Sequence, residues 1–409
     1  MPRELARPGV IANRHRRRAL VVVALGVVAL VTSAYASPKG EGGAGLASHS
    51  TNPRFNAISF SFDSPANGWA LGLLPCAKAT GCLALRETLD HGRSWSPRSL
   101  PAALVALSNK NTSGSGFKRD GALSIFFADA QNGWIYGLER GRPVFFSTHD
   151  GGAQWRQLST SLEGPYGVIF DIAATRGTAY LVAQSRSFHG VVERSAVGRD
   201  DWRRVRAPTL ELPAGGATDG GAIVFRGTSG WLVVGNDRGV SGSARLTSSG
   251  QWVKWSPPCA PVGDSYVVPV ATTARDLVVA CEMGGFASPL SKSAPPGATL
   301  QSVWLYTSRD DGRTFHYGPQ LSPSIENILA APTATDLFAN RVNNSVSDVQ
   351  QFIRSVDGGH HWEIVRREWA LSLAFQSVAQ GVALLQGARD ENTMIMTSDG
   401  GVHWAAVVP

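Results

Sequence analysis

Aspartate recurs in this chain in one fixed setting, Ser/Thr-x-Asp-x-Gly-x-x-Trp/Phe. Five copies keep the form, around Asp90, Asp150, Asp310, Asp357 and Asp399, with Trp95, Trp155, Phe315, Trp362 and Trp404 as the closing aromatics. Carboxylates of this kind could do chemistry in two ways. Brought together in pairs, they serve as acid and base on a glycosidic bond, and their separation sets the stereochemical outcome. Placed beside histidine, they ligate metal, and His91, His149, His360, His361 and His403 lie in or next to the copies. A third use is structural. An aspartate opening a hairpin turn accepts hydrogen bonds from the next backbone amides, the Ser/Thr hydroxyl adds another, and glycine supplies the positive φ the turn needs.

The elements around the motif decide among these uses. Two degenerate copies, Gly198-Arg-Asp200-Asp201-Trp202 and Thr247-Ser-Ser249-Gly250-Gln-Trp252, fill the central gap and bring the total to seven. Ahead of each copy lies a second apolar segment, clearest at Gly68-Trp69, Gly133-Trp134 and Gly230-Trp231. Ahead of several lies a third, such as 58–62 or 123–127. Each unit reads as strand A, turn, strand B, loop, strand C, Asp turn, strand D. Four antiparallel strands repeated seven times predict an all-β fold, a seven-bladed β-propeller. In that fold successive Asp turns stand on different blades around the rim and do not converge. The five aspartates and the histidines are therefore assigned to turns, with no catalytic residue, no metal and no cofactor. Replacing Asp310 by Ala is expected to cost ~1–3 kcal/mol through unpaired turn amides.

The motif resembles the Asp box, or bacterial neuraminidase repeat. Over residues 55–408 the whole unit resembles the propellers of the photosystem II assembly and stability factor family and, more distantly, the sortilin ectodomain. The resemblance implies a fold shared by sialidases, other glycosidases and non-enzymatic binders. A sialidase would need an arginine triad, a Tyr/Glu pair and an N-terminal Arg-Ile-Pro signature, and Asn52-Pro53-Arg54-Phe55 does not supply it. No nucleophile elbow, phosphate loop or His-Glu-x-x-His motif is present. The leading expectation is a non-enzymatic scaffold for a protein partner or a complex. The alternative is a glycoside hydrolase or lectin of sialidase-like ancestry.

Composition and the N-terminus bound the setting. The 409 residues are 43% hydrophobic and 17% charged, with 45 Gly and 12 Trp, which excludes global disorder and a helical protein. A basic stretch at 14–18 precedes 13 apolar residues, 19–31, and the small-x-small triplet Ala34-Tyr35-Ala36. Thirteen residues suit a signal peptide better than a spanning helix. The expected division is 1–36 signal peptide or uncleaved anchor, 37–53 Gly/Ser-rich tether and 54–409 propeller. Residues 1–36 carry six Arg and one Glu, so +5 of the formal net charge of +7 belongs to the leader and +2 remains for the rest. Nucleic-acid binding is therefore not expected. The four cysteines read as Cys76–Cys82 and Cys259–Cys281 disulfides in an extracytoplasmic compartment, or as four buried thiols in a reducing one.

Binding is expected on the face of the B–C and D–A loops, where the long polar insertions fall. Every B–C loop there carries a basic residue: Lys78, Arg140 with Arg142, Arg186, Arg238, Lys292, Arg341 and Arg389. Such a ring would suit an acidic protein or a glycan. The competing reading is ordinary loop charge, since Glu139, Asp237, Asp348, Asp390 and Glu391 are interspersed.

Overall fold

The computed structural model describes residues 55–409 apart from 77–78, 110–122, 140–141, 159–167, 185–189, 206–219, 237–238, 260–264, 272–275, 284–302, 323, 344–348 and 388–390. Its strands form seven four-stranded sheets, each built from four consecutive antiparallel strands. The sheets are the blades of a propeller: blade 1 spans 56–98, blade 2 123–157, blade 3 168–204, blade 4 220–254, blade 5 265–320, blade 6 325–366 and blade 7 369–407. The first strands touch one another at five of the seven junctions, 1–2, 3–4, 4–5, 5–6 and 6–7, which places strand A innermost and strand D on the rim. The outer strands are short, only two residues at Arg156–Gln157 and Arg203–Arg204, which leaves little free edge for another chain to pair with.

A blade cannot bury its own faces, so the core is divided among the seven junctions. One cluster joins Trp69, Leu71 and Leu85 of blade 1 to Ile125, Phe127 and Phe146 of blade 2. Its centre is Trp69 stacked on Phe127, with ring centroids 3.6 Å apart. Equivalent clusters fill the other junctions, with Phe338, Phe352 and Trp404 between blades 6 and 7. The glycine of the Gly-Trp dipeptide has a packing reason. In blade 2 the last residue of strand A, Phe127, pairs across the hairpin with Gly133, and a Cβ on Gly133 would meet the Phe127 ring at 2.6 Å. Phe62–Gly68, Phe225–Gly230 and Phe375–Gly381 repeat the pair. A bare backbone under an aromatic ring keeps the strand shielded where it lacks a side chain.

The ring closes without strand exchange. Blades 1 and 7 are each complete, and their seam is made by side chains: Phe55, Ala57 and Ala70 pack on Val382, Leu384, Met394 and Met396. Asn392 stitches the seam, its backbone N–H donating to Asn56 Oδ1 at 2.8 Å and its side-chain amide to the Ala57 carbonyl at 2.8 Å. One helix, α1 (Ala102–Asn109), follows blade 1 and buries Leu104 in the first junction. It occupies the start of the connection to blade 2. Among the described residues no helix is long and apolar enough to cross a membrane.

Candidate functional site

Antiparallel alternation puts the A–B and C–D turns on one face of the disc and the B–C and D–A loops on the other. On the turn face the five motif copies share one hydrogen-bond set. In blade 1 the Thr88 hydroxyl donates to Asp90 Oδ1 at 2.9 Å and accepts from the Gly92 N–H at 2.9 Å. Asp90 Oδ1 also accepts from the Ser94 N–H at 2.8 Å, and Oδ2 from the Ser94 hydroxyl at 2.6 Å. Thr148, Ser308, Ser355 and Thr397 hold Asp150, Asp310, Asp357 and Asp399 in the same way. The Ser94 hydroxyl and amide pull the Asp90 carboxyl down to about 2, and Asp310, Asp357 and Asp399 are lowered for matching reasons. These carboxylates are ionised and committed to their own turns, each on a separate blade.

Two consecutive residues of each turn have positive φ, for example His91 at 64° and Gly92 at 79°. The second is glycine throughout, for a reason beyond φ. It lies against the preceding blade: a Cβ on Gly312 would meet Trp231 Nε1 of blade 4 at 2.8 Å, and one on Gly359 would meet Leu305 of blade 5 at 2.8 Å. The turn thus serves as an inter-blade contact. In the degenerate turns the glycine contact is weaker or gone, since a Cβ on Gly198 would meet Asn132 Oδ1 of blade 2 at 3.3 Å and one on Gly250 nothing within 4 Å, and polar links join the blades there. Asp200 of blade 3 reaches back to Ser147, His149 and Arg156 of blade 2, and Arg176 of blade 3 donates to the Ser248 carbonyl of blade 4 at 2.6 Å.

The histidines divide into two kinds. His361 and His403 take the place of Ser94 and are highly exposed, with Nδ1 on Asp357 and Asp399 at 2.6 Å. His149 is exposed as expected of a turn histidine, but it also bridges two blades. Among the described residues no group of three or more His, Cys, Asp or Glu is arranged around a metal position. Exposed aliphatic tips, Leu89, Val356, Val378 and Val402, gather on the turn face of blades 6, 7 and 1.

The inner strands carry three charged residues, Asp171, Arg226 and Glu326, on blades 3, 4 and 6. Asp171 is buried and its Oδ2 accepts the Ile223 N–H of blade 4 at 3.0 Å. Burial pushes its carboxyl well above the usual range. It acts as a clip between inner strands, as do Ser59 and Ser61, which accept from the Ile125 and Phe127 amides of blade 2 at 3.1 and 2.8 Å. Sequence reasoning missed these clips, because a Ser or Asp in an apolar strand gives no sign that its acceptor faces a neighbouring sheet.

The loop face is fixed by two disulfides. Cys76–Cys82 closes the blade 1 B–C hairpin, and Cys259–Cys281 ties the connection after blade 4 to strand B of blade 5. Of the basic ring, Lys78, Arg140, Arg186, Arg238, Lys292 and Arg389 lie outside the described residues. Arg142 opens strand Arg142–Thr148, and Arg341 lies within strand Leu337–Asn343 rather than in the loop. The Arg341 guanidinium donates to Gln351 Oε1 at 2.8 and 2.6 Å.

No protein-family model matches the chain. No curated protein matches it either. Solved structures do. YCF48 bound to a D1 peptide superposes with a TM-score of 0.50 at 19% identity, over 85% of this chain and 94% of that one. A PL25 ulvan lyase bound to its saccharide gives 0.50 at 14%, over 88% and 96%. The β-propeller domain of the Trilobed protease from Pyrococcus furiosus, described as having an open velcro topology, gives 0.50 at 7%, over 87% and 98%. At these identities the likeness is one of fold alone.

Proposed function

We propose that this chain is an exported, non-catalytic propeller that binds a protein partner at the cell envelope through its B–C and D–A loop face. The observation behind this reading is where the carboxylates go. The five turn aspartates are spread over five blades and spent on turn amides, and Asp171 is spent on an inter-blade clip. A glycosidase of sialidase ancestry would instead hold paired carboxylates about 5–9 Å apart beside arginines. The turn motif fits an Asp box used as scaffolding. Two disulfides favour an oxidising compartment, which agrees with a basic leader followed by a short apolar core.

A glycan ligand is the second reading, supported by the structural likeness to a polysaccharide lyase and by the basic loop residues. Affinity capture with the full chain from its own envelope, beside a fluorogenic glycoside screen, separates the two. A retained protein with no glycoside turnover supports the scaffold, and turnover overturns it. Reversing charge at Arg186, Arg238 and Arg341 together is expected to abolish capture. Serine at Leu89, Val356, Val378 and Val402, on the opposite face, is expected to leave it intact. The reverse pattern would discard the basic ring and move the binding surface to the turn face.

A further inference from the structure

Blade 3 departs from the repeat at one point. Where the five full turns set a glycine against the preceding blade, it inserts the side chain of Asp200, which has no exposed surface. Asp200 Oδ2 accepts from the Ser147 hydroxyl at 2.8 Å, from His149 Nε2 at 3.0 Å and from the Arg156 guanidinium. Its Oδ1 is buried without a hydrogen-bond partner. The turn itself is held by Ser195, whose oxygen accepts the Asp201 N–H at 3.1 Å, so Asp200 is left for the neighbouring blade.

The other side of His149 fixes its chemistry. Nδ1 lies 2.8 Å from Asn132 Oδ1. Asn132 cannot be turned around, because its Nδ2 donates to both Asp129 oxygens at 2.9 and 3.0 Å. Both ring nitrogens of His149 therefore face acceptors. A neutral imidazole donates from one nitrogen only and would set a lone pair against an oxygen at the other; the two-donor imidazolium fills both contacts. The charged groups around the ring are Asp200 and Arg156 at Nε2 and Asp129 behind Asn132. Asp201 is paired with Arg203.

We propose that the junction between blades 2 and 3 is a proton-dependent latch, in which His149 carrying both ring protons bridges Asp200 of blade 3 and Asn132 of blade 2. Because both contacts on the ring call for a donor, the latch is firm with the two-donor ring in mild acid and weakens as pH rises and one ring proton is lost. Arg156 remains on Asp200 throughout, so the junction loosens without separating.

The test is hydrogen exchange on the full chain at pH 5.5 and 7.5, corrected for intrinsic rates and read locally over residues 147–156 and 195–203. Local reading keeps the His361–Asp357 and His403–Asp399 contacts, which lie on other turns, out of the measurement. Protection at the junction is expected to fall several-fold across this range. In His149→Gln, whose amide donates from one atom only, the local change is expected to vanish. Equal pH dependence in wild type and variant, or none in the wild type, would overturn the latch. Should the variant not fold, long-range proton–nitrogen spectra of histidine-labelled wild type decide. A His149 ring still protonated at both nitrogens when the exposed histidines have become neutral supports it, and a single tautomer appearing with theirs overturns it.

Discussion

At the scale of single residues, two buried or bonded carboxylates make opposite demands on pH. Asp310 lies well below its ordinary range because the Thr314 hydroxyl and amide bind its charged form. Asp310→Ala is expected to lower stability by about 1 kcal/mol in denaturant unfolding, at the low end of capping losses, because the freed Arg313 and Thr314 amides face water. Asp171 is raised by burial, so ionisation works against the fold, and its contribution is lost as pH rises. Asp171→Asn keeps an acceptor for the Ile223 amide and removes that charge. The variant is expected to melt higher than wild type at pH 7, with the gain shrinking towards pH 4; a lower melting point at both would refute the clip.

At the scale of elements, the repeated turn joins blades as much as it reverses the chain. Gly359 has a φ of 96° and sits on Leu305, Leu321 and Pro319. Gly359→Ala is expected to cost on the order of 2 kcal/mol by thermal or denaturant unfolding, more than the exposed Gly250→Ala, which has similar φ and open space. Blade number, strand order and both cysteine pairs could be read from the sequence because they rest on local spacing: a turn motif, an alternating strand and a short loop. The glycine's second role could not, since Asp-x-Gly explains itself fully as a turn. Nor could Asp200, which looks like a damaged motif copy until the neighbouring blade is placed beside it. Charge positions on the B–C loops were legible as residues, but whether they share a direction is a property of loop geometry that spacing does not encode.

At the scale of the whole molecule, the lowered turn aspartates act in concert. A depressed carboxyl stabilises the fold above its unfolded value near 4 and loses that contribution as pH falls through its folded value. For Asp90 the loss runs from about 4 down to about 2. Because Asp310, Asp357 and Asp399 shift the same way on other blades, acid is expected to loosen the ring at several turns at once. A urea midpoint falling steeply between pH 4 and 2 checks this.

The seam between blades 7 and 1 has a consequence for how the gene could be cut. Every sheet is contiguous in the chain, and Phe55 and Val407 share one apolar cluster. A short linker from the end of the last sheet to the start of the first, with new termini opened between any two blades, would sever no sheet. Rotated reading orders of this kind should reach the same toroid, and the blade that begins translation becomes a matter of choice.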